Sequence, residues 1–326
     1  MKALVTGGTG FVGSHIVRAL AEAGHTARVL HRTSSRLDAL AGLEYEPALG
    51  DILDADALRA ACAGCDWVFH VAAVADYWRA DAGRMFRANV EGTRLVLAAA
   101  RAAGVRRVVF TSSAAAVGPR PDGQPADETT PFSLPPERFP YGHSKVQAEA
   151  VVAAAVEAGQ DAVIVNPVIV MGPGDLNLIS GSYIIQVKRW GPLVPVTSGS
   201  IAVIDVRDVA RMHLAAAERG RPGQRYLLGT ANYTHREWLG MIADAIGTRR
   251  PFLPAPDFLL PPVAAAVDAA RRLGLPTPVD SNQVRLGARH ITFRFDKAWE
   301  ALGRPQVDMR QSLRDTVDWY RAQGYI

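Results

Sequence analysis

The chain has 326 residues, 48 % of them hydrophobic and 21 % charged, with a net charge of +4 and a pI near 9.2. That composition excludes a disordered or fibrous chain and suits one large or two ordinary domains around a sizeable core. The arginines are dispersed and often sit beside acids (RDVAR, LRDTVDWYR), without a basic run interleaved with aromatics, so nucleic acid is not expected as a partner.

The first half alternates short apolar runs with amphipathic stretches. Strands are predicted at 2–7, 26–32, 43–50, 66–73, 106–113 and 161–167, and helices at 14–24, 37–42, 55–64, 89–104 and 141–159. The strands are β-branched and apolar, as expected when both faces are covered. The alternation argues an α/β, doubly wound parallel sheet of the Rossmann type. Cys62 and Cys65 form CAGC at a helix end rather than at a helix start. They read as small buried thiols rather than a redox pair, in keeping with a reducing cytoplasm. The opening MKALVTGG lacks the apolar region of a signal peptide. FLLPPVAAAV, 258–267, is too short to span a bilayer and carries two prolines. A cytoplasmic protein without a transmembrane segment is expected.

After about residue 170 the texture becomes rich in Gly, Pro and Ser, with a further strand IAVIDV and helix RDVARMHLAAAERG. Residues 1–170 therefore read as one α/β domain, to which the strand and helix at 201–219 return. Residues 171–326 read mainly as a smaller C-terminal substrate domain.

TGGTGFVG, residues 6–13, lies between the first strand and the first helix. Gly7, Gly10 and Gly13 allow a tight turn and close approach of backbone N–H groups to a pyrophosphate, and the helix N-terminus adds partial positive charge. At the end of the second strand an acid suits NAD and an arginine suits the 2′-phosphate of NADP. Here ARVLHRTSSR offers Arg32 and Arg36 and no acid before Asp38, which favours NADP over NAD. Asp51, in GDILD after the third strand, is placed to accept from the adenine amino group or to cap the next helix. Tyr141 and Lys145, in YGHSK, are four apart and share a helix face. An ammonium beside a phenol favours the phenolate. Spacing alone leaves acid–base chemistry and a surface pair both open. His143 between them points to another face and reads as solvent-exposed.

In register, TGGTGFVG, GDILD, HVAA, NVEGT, TSS, YGHSK and NPVIVMGPGD resemble the extended short-chain dehydrogenase/reductase (NAD-dependent epimerase/dehydratase) superfamily. The resemblance runs over nearly the whole chain, to the tail DTVDWYRAQGY. Within the superfamily the chain is similar to the dihydroflavonol-4-reductase-like branch and to bacterial proteins called hopanoid-associated sugar epimerases. The resemblance implies Tyr141 as catalytic acid or base. It implies that Lys145 binds the nicotinamide ribose and lowers the tyrosine pKa, and that Ser113 hydrogen-bonds the substrate oxygen. Phe11 and Val12 join the glycines, and Ile52 joins Asp51, in the implied cofactor set. Val71, Ala72 and Ala73 line the adenosine ribose, Pro167 borders the nicotinamide, and Asn89 holds an active-site water. The expected activity is NADP-dependent reduction of an aldehyde or ketone to an alcohol, with a small-molecule carbonyl substrate and no metal. The alternatives are an NAD-dependent sugar epimerase or dehydratase and a non-catalytic NADP sensor. GSIAVIDV lacks the Arg-Asp pair that nucleotide-sugar enzymes of the superfamily often carry there. Retention of the Tyr/Lys pair with Ser113 speaks against a sensor. Tyr77, Trp78, Tyr183 and Trp190 are candidate aromatic walls of the pocket. The resemblance also implies a homodimer through the helices at 89–104 and 141–159.

Overall fold

The computed structural model describes residues 1–75, 81–176, 180–277 and 279–326. Its strands are β1 (Lys2–Thr6), β2 (Thr26–His31), β3 (Glu46–Leu49), β4 (Trp67–His70), β5 (Arg107–Thr111), β6 (Ala162–Pro167), β7 (Ile169–Met171), β8 (Ser200–Asp205), β9 (Arg225–Leu228) and β10 (Ala231–Thr234). The helices of the first half are α1 (Phe11–Glu22), α2 (Ala55–Cys62), α3 (Ala82–Phe86), α4 (Gly92–Ala102) and α5 (Pro140–Glu157). Those of the second half are α6 (Ser182–Trp190), α7 (Val206–Arg219), α8 (His235–Ile246), α9 (Leu260–Arg272), α10 (Ser281–Leu286), α11 (Asp296–Leu302) and α12 (Met309–Ala322).

Seven strands form one sheet in the order β3-β2-β1-β4-β5-β6-β9, and every neighbouring pair is parallel. This is the doubly wound Rossmann arrangement. The order reverses at β1, whose neighbours β2 and β4 lie on either side, and that switch point opens a crevice at the carboxyl edge. Thr6 pairs with His70, so the glycine loop and residues 71–73 leave the sheet side by side. α1 and α7 cover one face around Ile16, Val17, Leu20 and Val209. α2, α4 and α5 cover the other around Leu58, Val96, Leu97 and Val152.

β8 pairs with β7 and β10 in a separate three-stranded sheet. Its two faces serve different cores, because successive side chains alternate. Ala202 and Ile204 join the large core, while Ile201 and Val203 pack with Trp238, Ile242, Leu313 and Tyr320 in the smaller one. α7, which follows directly, lies against α1.

Some predicted elements are shortened or moved. The helix expected at 37–42 is a single 3₁₀ turn, Asp38–Leu40, too short to propagate. The helix expected from 89 starts as α3 and passes through a π turn, Arg87–Glu91, before α4. β9 was not anticipated, since RYLL is four residues long and has a Gly/Pro loop before it. Both cysteines are buried and unbridged, and burial pushes the Cys62 thiol up to about 12, which leaves it protonated at neutral pH. Among the described residues, no helix is long and apolar enough to cross a membrane.

Candidate active site

The glycine loop is shaped by steric necessity. Gly7 has φ +73°, and a Cβ on it would lie 2.7 Å from the Ala72 backbone nitrogen. A Cβ on Gly13 would lie 2.1 Å from the Gly7 carbonyl oxygen. The loop therefore doubles back on the first turn of α1 and presses on residues 71–72. Gly8, which sequence reasoning passed over, lets the loop close on Val29, 2.8 Å from where its Cβ would stand. α1 opens at Gly10 without a side-chain cap, so its first N–H groups are left for another acceptor. Phe11 and Val12 form the start of that turn. A bare backbone at a helix N-terminus, at the sheet switch point, fits a dinucleotide pyrophosphate.

The ends of β2 and β3 bring the exposed Arg32 and the half-buried Asp51 together, 3.8 Å apart. One Asp51 oxygen accepts from Leu53 N–H at 2.9 Å, in a local turn. Ile52, beside it, packs on Gly92, where a Cβ would lie 2.8 Å from its Cδ1. Arg36 is placed differently: it is exposed and its Nε donates to Asp38 at 3.0 Å. The acid nearest in sequence thus engages Arg36, and Arg32 is the arginine at the crevice.

Ser113 ends the turn after β5. Its Oγ accepts from Ala115 N–H at 3.1 Å, capping a 3₁₀ turn, Ala114–Ala116. α5 begins with Pro140, whose fixed φ suits a first helical position, and Tyr141 follows at once. A Cβ on Gly142 would stand 2.6 Å from the Ala115 carbonyl oxygen. Glycine there lets the helix carrying Tyr141 lie directly on the turn capped by Ser113. Tyr141 is buried. Lys145 is buried too; its Nζ donates to the Thr111 carbonyl at 2.8 Å and lies 5.0 Å from the Phe110 ring centroid. Burial pushes its pKa down to about 8, opposed by the Glu149 carboxylate. Ser113, Tyr141 and Lys145 thus gather on the carboxyl side of β5. Pro167 closes β6 nearby, opposite Leu228 of β9.

A sequence model for the NAD dependent epimerase/dehydratase family matches residues 3–229. The chain belongs to that family. It is 39 % identical, over 99 % of this chain and 95 % of the relative, to a Synechocystis sp. protein carrying the name dihydroflavonol 4-reductase. It is 33 % identical, over the full length of both chains, to sterol demethylase protein B of Methylococcus capsulatus. The crystal structure of a nucleoside-diphosphate-sugar epimerase from Pseudomonas aeruginosa superposes with a TM-score of 0.82, at 29 % identity, covering 100 % of this chain and 99 % of that one.

Around the nucleus of this epimerase/dehydratase-family site runs a set of polar groups, among which Asn89 is expected from the sequence while His70 and Glu149 are not. His70 is fully buried between Thr6 Oγ1 at 2.8 Å and Thr93 Oγ1 at 3.0 Å. Burial lowers its pKa to about 3, with the Lys145 charge acting the same way, so it is a neutral strut. Asn89 accepts from Val74 N–H at 2.8 Å and donates to the Val74 carbonyl and to Ser144 Oγ, at 3.1 and 2.9 Å. It pins the segment after β4 to α5. His143 departs from its expected exposure. It is half-buried, stacked on Phe132 with its edge against Phe86, because the loop before α5 folds back over it. Tyr183 lies partly buried in α6, while Trp190 at the end of that helix is exposed. Tyr77 and Trp78 fall outside the described residues.

Glu149, one turn beyond Lys145, anchors the rest. It accepts from Ser112 Oγ and, at 2.6 Å, from Asn166 Nδ2. Arg225 Nε lies 3.1 Å from its other oxygen, an ion pair without hydrogen-bond alignment. Asn166 also donates to the Ser113 carbonyl at 3.0 Å. Glu149→Gln removes the negative charge that favours the Lys145 ammonium. In the wild type, kcat/KM for the dinucleotide is expected to fall as pH rises through about 8, where Lys145 sheds its proton. In the variant that limb moves to lower pH by about one unit, the size expected of one lost charge contact. A pH profile with an unmoved limb would assign Glu149 to folding only.

Proposed function

We propose that the protein is an NADP-dependent reductase that converts an aldehyde or ketone to an alcohol. The observation that carries this reading is the convergence of Ser113, Tyr141 and Lys145 beside the dinucleotide cradle, with Arg32 at the far end of the same crevice. Gly7, Gly10, Gly13, Phe11 and Val12 would hold the pyrophosphate. Val71, Ala72 and Ala73 would line the adenosine ribose, Asp51 and Ile52 would border the adenine, and Pro167 the nicotinamide. When bound, the cofactor supplies hydride at its nicotinamide ring. Tyr141 gives its phenolic proton to the carbonyl oxygen. Ser113 Oγ donates a hydrogen bond to that oxygen and holds it in place. Lys145 carries the positive charge that eases loss of the phenolic proton and reaches the nicotinamide ribose. The relative's name of dihydroflavonol 4-reductase supports ketone reduction, and that of sterol demethylase protein B supports a large apolar substrate. The substrate would sit mainly against the domain at 171–326.

Arg32 carries the cofactor choice. Its guanidinium is largely exposed at the end of β2 and makes only a 3.8 Å contact with Asp51. A 2′-phosphate there would gain a forked, charge-assisted partner, worth on the order of 1.5–3 kcal/mol. NADPH is therefore expected to bind roughly tenfold or more tightly than NADH, and Arg32→Ala to narrow the gap. Paired titration of both cofactors into wild type and variant measures this. Equal affinities in the wild type, or a ratio unchanged by the substitution, would favour the second reading, an NAD-dependent sugar epimerase or dehydratase. That reading draws on the family's name and on the sugar epimerase that shares the fold. A panel of aldehydes, ketones and nucleotide sugars, followed by NADPH absorbance and product stereochemistry, separates the two.

A further inference from the structure

Nine of the fourteen exposed large hydrophobic side chains among the described residues fall between residues 190 and 275. Two strings of chain bring them together. Phe252 N–H donates to the Pro192 carbonyl at 3.2 Å, Val196 N–H to the Leu253 carbonyl at 2.8 Å, and Ser198 Oγ to Asp257 at 2.7 Å. Trp190 and Leu193 therefore lie alongside Phe252 and Leu253, and the same strip runs on to Phe258, 75 % exposed. α9 continues it. Its inward face is Leu260, Ala264 and Val267, at i, i+4 and i+7. A surface helix normally turns charge outward on the opposite face. Here the exposed residues between Leu259 and Ala269 are Pro261, Pro262, Val263, Ala265 and Ala266, and the acid of this stretch, Asp268, is only partly exposed and pairs with Arg285.

Cations predominate around this surface, although Asp257 lies within the strip, where its carboxylate accepts from Ser198 Oγ. Arg250 and Arg271 pair with Asp244 and Asp280, and Asp268 is taken up by Arg285. Lys188, Arg189, Arg249 and Arg272 are exposed without an ion-pair partner among the described residues. An indole, two phenyl rings and branched aliphatics inside a frame of cations are the groups that settle at the boundary of an anionic bilayer. We propose that this surface docks on anionic lipid, with Trp190, Phe252, Phe258 and Val263 entering the headgroup region and the four free cations meeting the lipid charge. A second copy of the chain fits less well, because a two-fold interface on this patch would bring like-charged frames together. The docked lobe borders the candidate site: Asn282 of α10 donates to the Arg138 carbonyl at 2.8 Å, three residues before Tyr141.

The test is co-flotation of the full-length chain with vesicles of phosphatidylcholine, alone or mixed with phosphatidylglycerol, at low and high salt. Binding to the mixed vesicles, weakened by salt, is expected. Phe258→Ser combined with Val263→Ser should reduce it more than tenfold. Arg249→Gln combined with Arg272→Gln should reduce it by about 25-fold, at roughly fivefold per cation near an anionic surface. Leu49→Ser, an exposed apolar residue remote in sequence, should leave it unchanged, and circular dichroism should show all variants folded. Tyr141→Phe should float like wild type, so loss of catalysis and loss of docking are read separately. Failure of the wild type to float with the mixed vesicles overturns the proposal. So does a wild-type dimer that Phe258→Ser dissolves without any lipid binding, since a second copy would then cover the face.

Discussion

Replacing Tyr141 with phenylalanine is expected to lower kcat by about 100- to 10,000-fold, the range for one positioned proton donor. The substitution removes a single oxygen from a buried ring at the start of α5. The ring keeps its packing, and the Gly142 contact with the Ala115 turn does not involve the phenol. NADPH affinity, measured by titration, should therefore stay within about threefold, well under the ~1.4 kcal/mol that makes a decade. The thermal midpoint should also change little. A variant that turns over near the wild-type rate would remove Tyr141 from the chemistry. A variant that loses cofactor binding together with activity would make it a structural residue.

Lys145→Met is expected to act on two quantities at once. The ammonium is buried and donates to the Thr111 carbonyl, and methionine fills much of the volume without the charge. Cofactor affinity should fall because a donor to the ribose is lost. The rate at saturating NADPH should also fall, by about 100-fold or more, because the phenol loses the charge that eases its proton transfer. The pH profile gives an independent check. Lys145 has its pKa lowered to about 8, so it is charged below that pH and neutral above it. The fall in kcat/KM for the dinucleotide through pH 8 belongs to this group and should be absent in the methionine variant. If excess NADPH restores the full rate, Lys145 only binds cofactor.

The two substitutions separate the parts of the site that local sequence encodes from those that arise by folding. A glycine loop between a strand and a helix, and a tyrosine four residues before a lysine, are local patterns. Backbone geometry fixes their consequences within one turn, so the tight turn of TGGTGFVG and the shared helix face of Tyr141 and Lys145 were legible as they stand, whereas spacing alone left the role of YGHSK open and only the family resemblance implied acid–base chemistry. The strand–helix alternation of the first half was equally legible, because strands buried on both faces leave continuous apolar runs. What tertiary structure alone decided lies at long sequence separation. Glu149 reads as one more helix acid until β9 places Arg225 beside it and β6 places Asn166 under it. The His70 strut needs Thr6 and Thr93 from two other elements. His143 looked like an outward residue by helical spacing, yet the loop carrying Phe132 covers it. β8 shows the limit most plainly. The sequence determined that IAVIDV is a strand, because its residues are apolar and β-branched. Which sheet it enters depends on partners before and after it in the chain, β7 and β10, whose pairing leaves Ile201 and Val203 in one core and Ala202 and Ile204 in the other.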